Sequence, residues 1–242
     1  WWLTPVATVL GLGTFALYSL FAAAQGSHYL YTGGGALYLS PFYSPDIESY
    51  LGLHPPFSFA FLVLWAPLGL RLTCYSYRKA YYRSLLWSPP ACAVPGRSGR
   101  GYTGESRLPL LLQNAHRYFF YAAVVVVGFL WYDAVRAFVF DRPGGGSPTV
   151  GVGLGSLVML ANVAALSAFT FGCNSFRHLT GGRLDCFSCS RAARTRHRLW
   201  LGVTVLNLRH TEWGWVSLFS VGLTDLYIRL ASAGVFHDPR LL

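Results

Sequence analysis

Charged residues are scarce in this chain, and lysine is almost absent. Only 12% of the 242 residues are Asp, Glu, Lys or Arg, whereas soluble domains carry about 25%, and Lys79 is the only lysine. A chain of this length that is 53% hydrophobic has too little polar surface to cover a water-soluble fold. The composition therefore excludes a soluble domain and predicts an integral membrane protein.

The motifs of soluble enzymes are also absent. The sequence contains no glycine-rich phosphate-binding loop and no nucleophile elbow. If the chain is part of an enzyme, we therefore expect another subunit to perform the main chemistry. A net charge of +10 would suggest a nucleic-acid partner in a soluble protein, but in a membrane protein we interpret it as a signal of topology and expect no nucleic acid.

Five apolar stretches are long enough to cross a bilayer as helices, which requires about 20 residues each. We therefore predict an all-α fold, an integral membrane bundle of five transmembrane helices that forms a single domain over residues 1–242. The apolar segment Leu199–Leu208 is too short to span and is expected at the membrane interface. The predicted spans are 3–24, 57–74, 118–140, 150–172 and 213–236.

The distribution of arginine orients these spans. Most of the 19 cationic residues lie in or beside two connecting segments, 75–117 and 173–212. By the positive-inside rule both segments face the cytoplasm. This arrangement places the N-terminus in the cytoplasm and the C-terminus outside.

Two similar strings close the second and fourth spans, Cys74-Tyr-Ser-Tyr-Arg78 and Cys173-Asn-Ser-Phe-Arg177. Both spans run from outside to inside, so both thiols reach the cytoplasmic layer. Thiols stay reduced there, and we therefore expect possible metal ligands rather than a structural disulfide. The remaining cysteines and three histidines fall in the same layer: Cys92, Cys186, Cys189, His116, His178 and His210.

Metal ligation competes with two other interpretations of this layer. Two thiolates with two imidazoles form the ligand set of a Rieske-type [2Fe–2S] centre, although the usual Rieske spacing is absent. Buried cysteines can instead serve as small apolar residues. A haem needs histidines inside facing helices, and here His116 with His178 or His210 would hold one only at the cytoplasmic rim.

Aromatic and basic residues alternate after Cys74, which suits a quinone headgroup or a docking face for a soluble partner. A belt of interfacial side chains that meets anionic lipid would look the same. The candidate quinone-binding residues are Tyr77, Arg78, Tyr81, Arg177, Trp213 and Trp215.

Four charged residues lie deepest in apolar sequence: Asp133, Arg136, Asp225 and Arg229. Ionisable groups inside a membrane are functional candidates, so a proton or quinone site is one interpretation. The spacing of four residues between Asp225 and Arg229 offers another, in which the two charges neutralise each other.

Residues 71–83, 88–93 and 173–182 resemble the membrane-anchor subunit of actinobacterial succinate dehydrogenase, a cytochrome b-like, SdhC-type subunit. The resemblance extends from about residue 57 to residue 236. It implies a plasma-membrane anchor that holds a flavoprotein subunit and an iron–sulfur subunit at its cytoplasmic face. Electrons from succinate would then pass to a membrane quinone, menaquinone, and the complex could form a higher oligomer.

The resemblance also bears on the cofactor. Better-known anchors carry one or two haems b, but the mid-helix histidines that bind them are missing here. The actinobacterial branch implies a membrane-embedded Rieske-type [2Fe–2S] centre, with haem b as the alternative; a non-redox scaffold or transporter is an alternative of another class. Four ligands would come from a set of seven: Cys74, Cys92, Cys173, Cys186, His116, His178 and His210.

Overall fold

Long apolar helices that alternate in direction build the fold. A computed structural model describes residues 1–52, 57–87, 89–91, 94–95, 106, 108, 110–142 and 146–242. In chain order the helices are α1 (Leu3–Gln25), α2 (Ile47–Leu51), α3 (Ala60–Leu72), α4 (Tyr75–Ser84), α5 (His116–Arg136), α6 (Leu154–Phe171), α7 (Asn174–Gly181), α8 (Arg191–Leu208) and α9 (His210–Ser232). Two antiparallel pairs join β1 (Leu30–Tyr31) to β2 (Tyr38–Leu39) and β3 (Val139–Phe140) to β4 (Thr149–Val150), and short 3₁₀ turns cover Gly33–Gly35 and Leu110–Ala115.

The bundle has two different ends. We call the end where α3 and α6 finish and α5 and α9 begin the thiol end, because Cys74 and Cys173 lie there. The opposite end, which carries both strand pairs, is the loop end. The ring of Trp1 contacts that of Trp87 near α4, whereas the backbone of Leu242 bonds to Val152 beside α6. The two chain termini therefore lie at opposite ends of the bundle.

Three segments of the described chain are long and apolar enough to cross a membrane: Leu3–Gln25, Leu111–Arg136 and Leu154–Phe171. Helix α3 is apolar but has only 13 residues, which corresponds to about 20 Å at 1.5 Å per residue. Helix α9 has 23 residues, but its length includes Glu212, Asp225 and Arg229, whose charges oppose transfer into lipid. The predicted spans 57–74 and 213–236 thus correspond to helices that meet these criteria less well.

Two predicted segments differ in extent from the helices that correspond to them. The third span was expected to reach residue 140, but α5 ends at Arg136 because Val139 and Phe140 pair with β4. The apolar segment Leu199–Leu208 is not separate from the basic residues before it. It is the second half of α8, which begins after Ser190, whose hydroxyl accepts a hydrogen bond from the Ala193 amide at 3.1 Å.

The loop end encloses a buried ion pair. The Arg229 guanidinium donates to Asp225 at 2.7 Å, and the two side chains are 7% and 0% exposed. Asp225 also accepts from Tyr18 and Ser40, while Arg229 donates further to the Ala22 carbonyl at 2.7 Å. Because both charges are compensated within the bundle, these contacts support the interpretation that the pair neutralises itself.

The other two deep charges are also bonded near the loop end. Asp133 accepts a hydrogen bond from Ser44. Arg136 donates to the Val139 carbonyl at 2.7 Å and pairs with Asp141 at 3.0 Å. Each therefore has a structural partner at its own helix end.

Candidate functional site

The thiol end brings together two cysteines and two histidines from four helix boundaries. The sulfur of Cys74 lies 3.4 Å from Nε2 of His210. The sulfur of Cys173 lies 2.9 Å from Nε2 of His116. Each contact joins a residue that follows one helix to the first residue of another, so each pair forms only when the bundle is assembled.

The repeated Cys-x-Ser-x-Arg string has a structural explanation. Cys74 and Cys173 both have extended backbone, with φ/ψ of −71°/131° and −69°/144°. Such a conformation is typical of an N-cap residue, and each cysteine does precede a short helix, α4 or α7. The Cys173 sulfur accepts from the Ser175 amide at 3.4 Å. Each string therefore forms a bend in which a long helix ends and its cysteine turns toward the centre of the bundle.

The four side chains are shielded from water to different degrees. Cys74, Cys173 and His210 are 2%, 3% and 8% exposed, and His116 is partly buried. Apolar neighbours, including Leu70, surround the two thiols. Burial raises the pKa of the Cys173 thiol because a thiolate is poorly solvated there.

The two histidines differ in their second ring nitrogen. Nδ1 of His116 lies 2.8 Å from the hydroxyl of Thr73. Nδ1 of His210 is buried and has no hydrogen-bond partner among the residues that the structure describes. The His210 ring instead stacks on Phe169, with ring centres 4.8 Å apart and planes 8° from parallel.

Arg71, a residue of the basic layer, also belongs to this region, although it was not among the candidate site residues. Its guanidinium donates to Tyr77 at 2.6 Å, to the Gly214 carbonyl at 3.0 Å and to Ser217 at 3.0 Å. It also lies 4.7 Å from the centre of the Phe169 ring. Arg71 lies three residues before Cys74, within the segment 71–83 that resembles the family, and this position was the sequence feature that could have marked it as a site residue.

Two of the six proposed metal ligands that the structure describes do not join the cluster. Cys186 forms a disulfide with Cys189, with Cα atoms 5.8 Å apart, so the expectation that these thiols stay reduced is wrong. The bend between α7 and α8 brings these two thiols together. His178 is exposed, with Nδ1 3.5 Å from Arg117, and Cys92 lies outside the described residues.

The described residues contain no group of three or more His, Cys, Asp or Glu side chains arranged to hold a metal ion. The donors at the thiol end instead come as two Cys–His pairs. A mononuclear tetrahedral ion needs three or four protein ligands in one shell. In a [2Fe–2S] group of the Rieske type, two cysteines bind one iron and two histidines bind the other, so the Cys–His contacts seen here supply the four donors but are not themselves the ligand pairs of such a group.

The candidate quinone residues separate into two groups. Tyr77 is buried, donates to the Gly214 carbonyl at 2.5 Å and contacts the ring of Trp215. Trp213 packs on the same cluster, and Tyr81 accepts from Gln113 at 2.7 Å.

The two arginines of the candidate set, Arg78 and Arg177, contact other residues. The Arg78 guanidinium lies over the rings of Tyr75 and Tyr82 on α4. Arg177 donates to Thr204 at 3.1 Å and lies over Trp200 of α8. The structure therefore gathers the aromatic members of the set beside the Cys–His cluster and directs Arg177 into the contact between α7 and α8.

Comparisons with known proteins decide the family. The model of the actinobacterial succinate dehydrogenase subunit SdhC matches residues 3–234. This chain belongs to that family. The resemblance seen in the sequence is thus confirmed, and this SdhC-family chain is a subunit of succinate dehydrogenase.

A solved structure agrees with the family assignment. A chain of the Mycobacterium smegmatis Sdh1 complex in the apo form is 42% identical, with a TM-score of 0.85. The alignment covers 100% of the SdhC-family chain and 92% of that chain. No curated protein sequence matches.

Proposed function

We propose that this SdhC-family chain anchors succinate dehydrogenase in the plasma membrane and conducts electrons to a membrane quinone through an iron–sulfur group at the thiol end. The observation that carries the proposal is the presence of two Cys–His pairs, one buried and one partly buried, with S···N distances of 3.4 and 2.9 Å, at the same end of the bundle. Family membership indicates which enzyme the chain belongs to, and the thiol end of the bundle provides the candidate redox site.

Four residues would hold the group: Cys74, Cys173, His116 and His210. Their two sulfurs and two ring nitrogens match the donor set of a Rieske-type [2Fe–2S] group. Nδ1 of His210 is buried and has no hydrogen-bond partner among the described residues, so it is available to a group bound at the thiol end. When bound, the group would take up and release one electron at a higher potential than an all-thiolate group.

A haem b is supported less well by the same geometry. An axial histidine must direct a nitrogen at the centre of a macrocycle. Here Nε2 of each histidine faces a cysteine sulfur within 3.4 Å. Binding of a haem or of a [2Fe–2S] group would therefore require these pairs to separate, but only the iron–sulfur group would use the two thiols as well as the two histidines.

We propose the quinone headgroup beside this cluster, with menaquinone as the acceptor that the family resemblance implies. Tyr77 and Trp215 present aromatic surface there, and Arg71 is the nearest cationic donor to Tyr77. The hydroxyls of Tyr77 and Tyr81 already donate to backbone carbonyls, so a quinone oxygen would accept from Arg71 or replace one of these bonds. Arg78 and Arg177 are better explained as contacts within α4 and between α7 and α8.

The orientation follows from charge and helix direction. The arginine-rich segments flank the thiol end, and the chain termini lie at opposite ends. With α3 and α9 counted, five helices cross the membrane, the thiol end faces the cytoplasm, and the C-terminus lies outside. The soluble iron–sulfur and flavoprotein subunits would then dock at the thiol end, where an electron has the shortest route to the four donors.

Electron paramagnetic resonance of the purified complex tests the proposal. After reduction, we expect a Rieske-type signal in addition to those of the soluble iron–sulfur subunit, and iron in the isolated SdhC-family chain. A reduced complex that lacks this signal and shows only haem absorption would overturn it.

A further inference from the structure

Thr73 makes the hydrogen bond that distinguishes the two histidines of the thiol end. This residue is the C-cap of α3, immediately before Cys74, and it is 6% exposed. Its hydroxyl lies 2.7 Å from the Gly69 carbonyl and 2.8 Å from Nδ1 of His116. The side chain therefore links the end of α3 to the first residue of α5.

The direction of these two bonds can be deduced from proton number. A threonine hydroxyl carries one proton, and a backbone carbonyl such as that of Gly69 can only accept it. With that proton directed to Gly69, the hydroxyl accepts from His116, and this arrangement, which satisfies both contacts, places the proton of the neutral imidazole on Nδ1. Its other nitrogen, Nε2, keeps a lone pair, and this lone pair faces the sulfur of Cys173 at 2.9 Å.

We propose that Thr73 is a positioning residue that holds His116 in the Nδ1–H tautomer, with Nε2 presented as the ligand nitrogen. This inference rests on the proposed function, because the ligand is meant for the iron–sulfur group. Threonine suits the task, since its branched side chain has few rotamers and a bond to the carbonyl four residues earlier is a common arrangement for it. A metal-binding histidine that donates its other N–H to a fixed acceptor is also the more basic ligand.

The second Cys string supports the assignment by contrast. Gly172 stands before Cys173 as Thr73 stands before Cys74. A Cβ atom at Gly172 would lie 3.4 Å from Nδ1 of His210 but only 2.6 Å from the Ala168 carbonyl. Positions 73 and 172 therefore each lie beside Nδ1 of a histidine, but only position 73 carries a hydroxyl group that can bond to it.

The test compares Thr73→Val with Thr73→Ser in the intact complex. Valine keeps the shape and removes the acceptor, whereas serine keeps the hydroxyl. We expect Thr73→Val to shift the signal's g values, raise its midpoint potential and lower cluster occupancy about 10- to 100-fold at limiting iron. Thr73→Ser should restore all three quantities toward those of the wild type.

The outcomes separate this inference from the proposed function. A wild-type complex without the Rieske-type signal removes the proposed function itself. A normal wild-type signal that Thr73→Val leaves unchanged overturns only the role of Thr73. If Thr73→Val fails to assemble, a structure of the wild-type holo-complex decides, because iron bonded to Nδ1 rather than Nε2 of His116 contradicts the inference.

Discussion

The thiol end and the loop end both bury polar groups inside an apolar bundle, but the hydrogen bonding of these groups differs between the two ends. At the loop end, Asp225 and Arg229 pair with each other, and neighbouring side chains and carbonyls bond to the rest of both groups. At the thiol end, one buried nitrogen of His210 has no hydrogen-bond partner in the described part of the chain, and two thiols face ring nitrogens. A buried polar group that is fully paired contributes structure, whereas one left incomplete is a candidate to bind something else.

This difference also separates stability from redox function. Changes at the loop end should weaken the fold while the thiol end keeps its donors. Changes at the thiol end should remove the proposed electron carrier while the bundle persists. Three experiments follow from this separation.

Replacement of Cys74 or Cys173 by alanine has the largest expected effect. Loss of one of only four ligands should abolish the Rieske-type signal and reduce quinone reduction by about 100-fold or more, while succinate oxidation with a soluble acceptor continues. Resonance spectra and both activities of the purified complex measure this. Neither cysteine is bonded to another residue covalently, so no crosslink is lost.

The matched control is Cys186→Ala, which removes the Cys186–Cys189 disulfide but no member of the cluster. It should leave the signal intact. If Cys186→Ala removes the signal while Cys74→Ala retains it, the cluster has been assigned to the wrong cysteines.

Replacement of Asp225 by asparagine should have the next largest effect, on stability. Asparagine fills the same space but leaves the buried Arg229 charge uncompensated, and breaking a buried pair in this way costs about 3–5 kcal/mol. The temperature at which this chain dissociates from the complex should fall, and the resonance signal of the surviving complex should be normal.

Asp141→Asn provides the comparison at the same end. This aspartate pairs with Arg136 but is 62% exposed, so its loss should cost less than about 1 kcal/mol. Equal destabilisation by the two variants would contradict the importance of burial. A lost signal in Asp225→Asn would show that the two ends are coupled.

The sequence predicted the membrane character, most helix positions and the family, and its seven candidate ligands include the four residues that form the Cys–His contacts. It could do so because apolar length, arginine distribution and the paired Cys strings are local patterns. It could not choose Cys74, Cys173, His116 and His210 from seven candidates, since that choice depends on where four helix boundaries meet. The exposure of His178 and the pairing of Cys186 with Cys189 depend on the bend between α7 and α8, for which no periodicity gives a signal.

Replacement of Arg71 by glutamine should have the smallest of the three effects, on quinone reduction. The variant loses charged hydrogen bonds to Tyr77 and Ser217, and a hydrogen bond to a charged group is worth roughly 1.5–3 kcal/mol. Because 1.4 kcal/mol corresponds to a factor of 10, we expect about a 10-fold or greater loss in kcat/KM for a soluble quinone analogue, with the resonance signal retained.

Arg78→Gln is the control, since Arg78 lies over rings of its own helix, and should change kcat/KM much less. Equal losses in both variants would indicate that the general positive charge of this face, rather than the Arg71–Tyr77 contact, attracts the acceptor.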